Sequence, residues 1–308
     1  MKNIISASRR TDIPAFYSEW FVRRLKEGEV YVRNPYGGQT YKVSLKSDDV
    51  HSIVFWSKNY SPLIPRLDDI ERTAKNLFFH FTITGIPEDI KHDTPPASDA
   101  IDDFIYLSKR YSPDRLVWRF DPICLTDKLP FEFYEEMFLK IAGGLSGRAN
   151  KCYISFVQKY KKVLANFRKY SEHLLIDIDT DTQKGYAERL TRIAEENGIT
   201  LHACCSDHLL SEKVRKGSCI NGGELIRLSG DINVSSPPAP TRKECACTKS
   251  IDIGSYDTCP HGCLYCYANA DKEKSRASFI NMDMGWNGLG FNVDRETAGN
   301  ESPQAFLF

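Results

Sequence analysis

The chain has 308 residues, 41% hydrophobic and 27% charged, with 41 basic and 41 acidic side chains that cancel to a net charge of zero. This composition excludes a disordered, collagenous or fibrous chain and leaves one large domain or two small ones; zero net charge also removes the long-range attraction of a general nucleic-acid or membrane-surface binder. No run approaches the ~18 apolar residues that cross a bilayer, and Met1-Lys2-Asn3 leads into Ile4-Ile5 without the apolar stretch of a signal peptide, so a soluble, cytoplasmic protein is expected.

In chain order, strand candidates rich in β-branched and aromatic residues run Ile4 to Ser8, Glu29 to Arg33, Ser52 to Trp56, Leu77 to Ile83, Leu116 to Phe120, Cys152 to Val157 and Thr200 to Ala203. Between them, amphipathic patterns predict helices over Ala15 to Lys26, Ser61 to Asn76, Ser98 to Tyr111, Phe131 to Ile141, Tyr160 to Tyr170 and Tyr186 to Asn197, the last closed by Gly198 in a left-handed C-cap. Alternating βα units of this kind surround a parallel sheet. An α/β fold is expected, as a βα barrel or partial barrel, with a doubly wound open sheet as the other solution.

Polar residues cluster just past the strands, at Arg9-Arg10-Thr11-Asp12, Ser57-Lys58-Asn59, Thr82 to Gly85, Asp121-Pro122 and Gln158-Lys159. Active sites in βα architectures lie at the carboxyl ends of strands, although turn residues are polar in any case. Arg9, Arg10, Asp12 and Lys58 are the candidates to hold charged groups of a cofactor or substrate. The stiff segment Ser235-Ser236-Pro237-Pro238-Ala239-Pro240 divides a βα region, 1–234, from a cysteine-rich segment, 235–308.

Of ten cysteines, Cys124 and Cys152 stand apart and the other eight lie between positions 204 and 266. In a reducing compartment such crowding points to metal or redox chemistry. Cys259, Cys263 and Cys266 sit in the run Cys-Pro-His-Gly-Cys-Leu-Tyr-Cys. A structural zinc site normally shows two C-x-x-C hooks, whereas this tight triplet can wrap three corners of an iron-sulfur cube and leave the fourth iron open to a chelating amine and carboxylate. A zinc knuckle or inert thiols are the bland alternatives. Cys204, Cys205, Cys219, Cys245 and Cys247 are five further thiols, enough for an auxiliary four-cysteine site, most simply from Cys205, Cys219, Cys245 and Cys247. Thiolates suit an iron-sulfur cluster or zinc alike, and unligated thiols are the third reading. Of Cys204 and Cys205 only one is expected to ligate, because adjacent residues at a strand end point opposite ways.

The C-x3-C-x2-C triplet, with an aromatic residue, Tyr265, before its last cysteine, resembles the signature of the radical S-adenosylmethionine superfamily. The resemblance implies that Cys259, Cys263 and Cys266 ligate a 4Fe-4S cluster, that S-adenosylmethionine binds the open iron beside Tyr265, and that one electron cleaves it to a 5'-deoxyadenosyl radical that abstracts hydrogen. It implies oxidoreductase or lyase chemistry, a reductant such as flavodoxin or ferredoxin, and a TIM-type βα barrel. The whole chain also resembles a bacterial family known only as a domain of unknown function, whose members open like Ile4-Ile5-Ser6-Ala7-Ser8-Arg9-Arg10-Thr11-Asp12-Ile13-Pro14 and close like Asp252 to Cys263. The superfamily carries its cysteine loop after the first strand, whereas here the loop lies near the C-terminal end. A circular permutation reconciles the two, with Ile251 to Ser255 returning as the first strand beside the βα region. In that frame Ser8 to Ile13, Phe55 to Asn59, Phe79 to Thr84 and Arg119 to Ile123 look like the segments after the cysteine loop in the spore photoproduct lyase branch.

Weaker signals divide the alternatives. Asn221-Gly222-Gly223-Glu224 is similar to the superfamily's Gly-Gly-Glu motif but reads as a turn. Asp177, Asp179, Asp181 and Glu188 imitate a calcium loop with Thr182 where Gly is needed, and read as a solvated turn. Arg148 to Tyr170 holds seven basic and no acidic residues among Tyr153, Tyr160, Phe167 and Tyr170; the segment could track a phosphate backbone, and a solvent-facing basic helix is the favoured reading. His261 could tune a cluster by a hydrogen bond. The competing functions are a non-catalytic iron-sulfur or zinc module and a nucleic-acid modification or repair enzyme.

Overall fold

The computed structural model describes residues 1–294; the end of the cysteine-rich segment lies outside the described residues. The strands are β1 (Asn3–Ala7), β2 (Glu29–Arg33), β3 (Thr40–Ser44), β4 (Val50–Ser57), β5 (Leu77–Thr82), β6 (Leu116–Ile123), β7 (Lys151–Phe156), β8 (Thr200–Ala203), β9 (Val214–Lys216) and β10 (Ile251–Asp252). The helices are α1 (Ile13–Phe16), α2 (Ser18–Glu27), α3 (Leu67–Glu71), α4 (Ala97–Tyr111), α5 (Phe131–Leu145), α6 (Lys161–Tyr170), α7 (Thr180–Glu196), α8 (Gly222–Ser229) and α9 (Lys272–Ile280).

Eight strands form one parallel sheet in the order β10-β1-β4-β5-β6-β7-β8-β9. From β1 to β9 the order follows the chain without the reversal that defines a doubly wound sheet. The chain then returns to the β1 edge, where β10 pairs through Ile5 with Ile251 and Ser6 with Asp252.

Strand alternation sends the two faces into separate cores. Ile5, Ile53, Leu77, Leu116, Cys152 and Leu201 lie under the helices, where Phe104 and Leu107 of α4, Phe138 and Ile141 of α5 and Leu190 and Ala194 of α7 cover them. Ile4, Val54, Phe78, Val117 and Tyr153 face a smaller core closed by Ile220, Leu225 and Val234. At ~25 cal/mol per Å² of apolar surface, each such buried side chain contributes about 1.5–3 kcal/mol.

Several expectations need correction. Glu29 to Arg33 is a strand, but it leaves the main sheet and pairs antiparallel with β3 across a turn containing Gly38 at φ +71, a hairpin that its short Gly-rich loop permits. The helix expected over Ser61 to Asn76 shrinks to α3; Pro62 and Pro65 withdraw backbone donors from its first half, and it ends at Glu71. Ala15 to Lys26 is split at Tyr17, while α7 starts earlier than its apolar periodicity suggests because Asp179 accepts from Thr182 N. Gly198 has the expected positive φ, +70. The proline-rich segment is held along its length: Ser235 N donates to Lys2 O, Ala239 N to Cys247 O, and Lys249 N to Pro237 O. No helix of the described residues is long and apolar enough to cross a membrane.

Candidate functional site

The carboxyl ends of the parallel strands surround a cavity of about 550 Å³. Its wall takes Ser8 to Asp12 after β1, Ser57 and Lys58 after β4, Thr82 at the end of β5, Asp121 and Pro122 of β6, and Ser155 to Gln158 at and beyond the end of β7. Both thiol groups also line it. Of the polar clusters noted past the strands, Asn59, Ile83, Thr84, Gly85 and Lys159 stay out of the wall; Lys159 pairs instead with Asp177.

The first group hangs from β10. Asp252 is buried and accepts from Ser6 Oγ and Ser8 Oγ, each at 2.6 Å, from Arg9 N at 2.8 Å and from Gly254 N at 3.0 Å. Gly254 is required here, since a Cβ would lie 2.0 Å from Ser8 Oγ. Gly254→Ala is expected to cost about 1–3 kcal/mol through this overpacking, read as a lower urea midpoint; an unchanged midpoint would remove the close approach from the account.

Beyond Gly254 the loop is pinned at several points. Tyr17 Oη donates to Thr258 O, Asn269 Nδ2 to Cys259 O at 2.6 Å, and Leu264 N to Ile90 O at 3.0 Å. His261 is buried with its ring nitrogens 2.8 Å from Asp12 Oδ2 and from Asp93 O. Its nitrogens therefore address Asp12 and the Asp93 backbone and anchor the loop. Asp12 also accepts from Ala15 N, Ser57 Oγ and Lys58 N, so its carboxylate ties β1, β4 and the cysteine loop together.

Lys58 meets the thiols directly: Nζ donates to Cys263 Sγ at 2.9 Å and to Tyr265 Oη at 3.1 Å, over the Tyr265 ring. Burial by itself would raise the Cys263 pKa, yet Lys58, His261 and Lys91 outweigh it and leave the thiol below its usual value. Burial pushes Cys259 and Cys266 up. Burial likewise brings Lys91 and Lys272 down to about 8, with Cys263 opposing in both.

The second group gathers Cys204, Cys205, Cys219, Cys245 and Cys247. Arg119 is locked to Asp121 through two nitrogens and donates to Cys219 Sγ at 3.2 Å. Hydrogen bonds from Cys204 and Cys247, with Arg119 and His80 beside them, hold the Cys219 pKa low against burial. Arg242 hydrogen-bonds Cys205, and Thr241 Oγ1 lies 3.5 Å from Cys245 Sγ. His80, stacked on Trp56, sits 2.7 Å from Cys219 O and is driven down to about 4 chiefly by burial. Among the described residues, no three His, Cys, Asp or Glu donors are placed to hold a single metal ion.

Arg9 spans the groups. Its carbonyl accepts from Tyr267 Oη beside Cys266, while its guanidinium bonds Ser250 and lies in the field of Cys219 and Cys247. Arg10 lies over the Tyr256 ring in the same wall. Thr11, part of the cluster noted after the first strand, and Asn269, which sequence reasoning missed, each line the cavity and keep a buried side-chain oxygen without a partner. Sequence reasoning also missed Asp252 and Arg242, whose single polar side chains carry no spacing signal. Arg119 and Asp121 share one face of β6 by the two-residue period, a signal that was readable.

The decoys lie elsewhere. Asn221 caps α8 and Glu224 pairs with Lys151, so the suspected turn opens a helix. Asp177 and Asp181 are exposed and paired with Lys159 and Lys184, and Asp179 caps α7. The basic segment is no continuous stripe: Tyr153 and Phe167 are buried, and Lys151, Lys159 and Lys169 are paired with acids. Cys124 and Cys152 are buried away from the cavity.

No curated protein matches the chain. A family model described as a domain of unknown function (DUF1848) matches residues 4–268, a span that takes in both thiol groups, and the chain belongs to that family.

Proposed function

We propose that this chain is a radical S-adenosylmethionine enzyme on a circularly permuted βα barrel, with Cys259, Cys263 and Cys266 as ligands of a 4Fe-4S cluster and the second thiol group as an auxiliary iron-sulfur site. The observation that carries the reading is a cysteine loop that leaves the end of β10, next to β1 in an unreversed parallel sheet, and opens on a cavity shared with the second thiol group. Counted from β10, the loop follows the first strand, as the superfamily pattern requires.

The donor set fits such a cluster. Cations withdrawn from water need anions nearby, and the half-buried ones here address sulfur: Lys58 bonds Cys263, and Arg119, paired with Asp121, also bonds Cys219, while the exposed Arg242 stands beside Cys205. An iron-sulfur cluster held by thiolates carries the negative charge that this arrangement balances. When bound, the cluster supplies the electron that cleaves S-adenosylmethionine to a 5'-deoxyadenosyl radical, which takes hydrogen from a substrate. The protein's part is to hold three thiolates on a loop pinned by Asp12, His261 and Asn269, and to offer Thr11 and Asn269 oxygens for polar groups of the cofactor. Tyr265 packs beneath Lys58, and Arg9 and Arg10 supply positive charge across the wall. A flavodoxin or ferredoxin is the matching electron donor.

The test is anaerobic reconstitution with iron and sulfide, then dithionite and S-adenosylmethionine, with 5'-deoxyadenosine as readout. Wild type is expected to form it and Cys263→Ala to form none. A colourless, zinc-containing protein that leaves S-adenosylmethionine intact would favour the non-catalytic metal module instead.

A further inference from the structure

Five thiols meet at a site that a four-iron cluster fills with four. Neighbouring residues on a strand point to opposite faces, which would set Cys204 and Cys205 apart. That alternation fails just past β8, because Cys205 has φ +51, in the left-handed region that non-glycine residues seldom adopt. Both sulfurs consequently enter the same group. Cys204 Sγ lies 3.4 Å from Cys219 Sγ, and each thiol acts on the acidity of its neighbours in the order Cys219, Cys247, Cys245, Cys205 and back to Cys204, a closed ring whose members all line one cavity.

In this ring Cys219, Cys247 and Cys245 are consecutive. Cys204 extends them on the Cys219 side and Cys205 on the Cys245 side, so either one completes a run of four neighbouring ligands. A guanidinium serves each alternative, Arg119 beside Cys204 and Arg242 hydrogen-bonded to Cys205. Both thiols also line the cavity between the two groups.

We propose that the second site is a five-thiol iron-sulfur site in which Cys219, Cys245 and Cys247 are fixed ligands while Cys204 and Cys205 exchange at the fourth iron, leaving one thiol of the pair free in the cavity wall. The inference rests on the iron-sulfur reading of this group. Exchange is thiolate for thiolate: the entering thiol gives up its proton and the leaving one takes a proton, so no oxidant or reductant is consumed.

The experiment uses the full chain with Cys259, Cys263 and Cys266 replaced by alanine, so that bound iron and sulfide report the second site alone. In that background Cys204→Ala and Cys205→Ala are each expected to retain the iron of the parent, with altered electron paramagnetic resonance spectra after reduction. The double variant and Cys219→Ala are expected to lose it. Loss of iron in either single variant, or retention in the double, overturns the exchange. A parent that binds no iron overturns the iron-sulfur reading itself and the exchange with it. Should the variants not fold, brief iodoacetamide labelling of loaded wild type decides the same point by tandem mass spectrometry. Label is then expected on Cys204 in some chains and on Cys205 in others, never on both; label confined to one of them, on both in one chain, or on neither overturns the proposal.

Discussion

Asp252→Ala is expected to destabilise the folded chain by about 3–5 kcal/mol, the range for removing one partner of a buried charge network. The carboxylate accepts four hydrogen bonds from Ser6, Ser8, Arg9 and Gly254, with the Arg9 guanidinium 4.0 Å away. Removing it strands two hydroxyls, two amides and a buried cation. The effect is large because β10 has only two residues of register with β1, so this side chain supplies most of the local tie that returns the cysteine loop to the sheet. Urea denaturation of the unloaded protein provides the measurement, and a change below about 0.5 kcal/mol, ordinary for a surface substitution, would sink the argument.

The same residue carries a pH signature. Burial alone would raise the Asp252 pKa, but Arg10, Arg9 and the two serine hydroxyls outweigh it and leave the carboxyl below its ordinary value. The folded state thus holds fewer protons at this group than the unfolded state. Its contribution is complete above the unfolded pKa of about 3.9 and is lost as pH falls through the lower folded value. Wild type should lose stability below about pH 4 more steeply than Asp252→Asn, which starts weaker and has no such proton to take up.

Lys58→Met is expected to reverse the acidity of Cys263. Burial is the largest influence on this thiol and raises its pKa; Lys58 is the foremost of the groups that bring it below the usual value. Without the ammonium at 2.9 Å, the burial effect should carry the thiol above its ordinary pKa of about 8.5. Each unit removes about tenfold of the thiolate near neutral pH, and the thiolate is both the nucleophile and the metal ligand. In unloaded protein at pH 7, iodoacetamide labelling of Cys263 should slow at least about tenfold, while Lys58→Arg keeps a cation and much of the rate. A labelling profile against pH that is identical in wild type and Lys58→Met would dissociate the lysine from the thiol. Iron loading of the first group should fall in parallel, because ligands must lose their protons to bind.

The local features were readable in advance. Alternation of β-branched runs with amphipathic segments is set by hydrophobic periodicity, and it located most of the parallel strands and the cores of α4, α5, α6 and α7. Errors arose where one local rule overrode another. Prolines shortened α3, a short loop diverted β2 into a hairpin, and the three-residue β9 carries too little pattern to be seen. The premise that Cys204 and Cys205 point opposite ways failed on a single backbone angle: strand alternation was applied to a residue whose φ is positive. That Asn221 begins a helix was masked by the two glycines that follow it, which weaken helix propensity without abolishing a good N-cap.

By itself the sequence determined an α/β chain, the tight spacing of Cys259, Cys263 and Cys266, and a second crowd of thiols, because composition, periodicity and loop spacing are properties of neighbouring residues. Only the tertiary structure decided that both thiol groups open on one cavity and which charges meet them. Lys58 reaches Cys263 across 205 positions, Arg119 reaches Cys219 across 100, and Asp252 reaches Ser6 across 246. Such contacts depend on strand order and register, which place distant side chains together at the ends of parallel strands and leave no trace in local pattern.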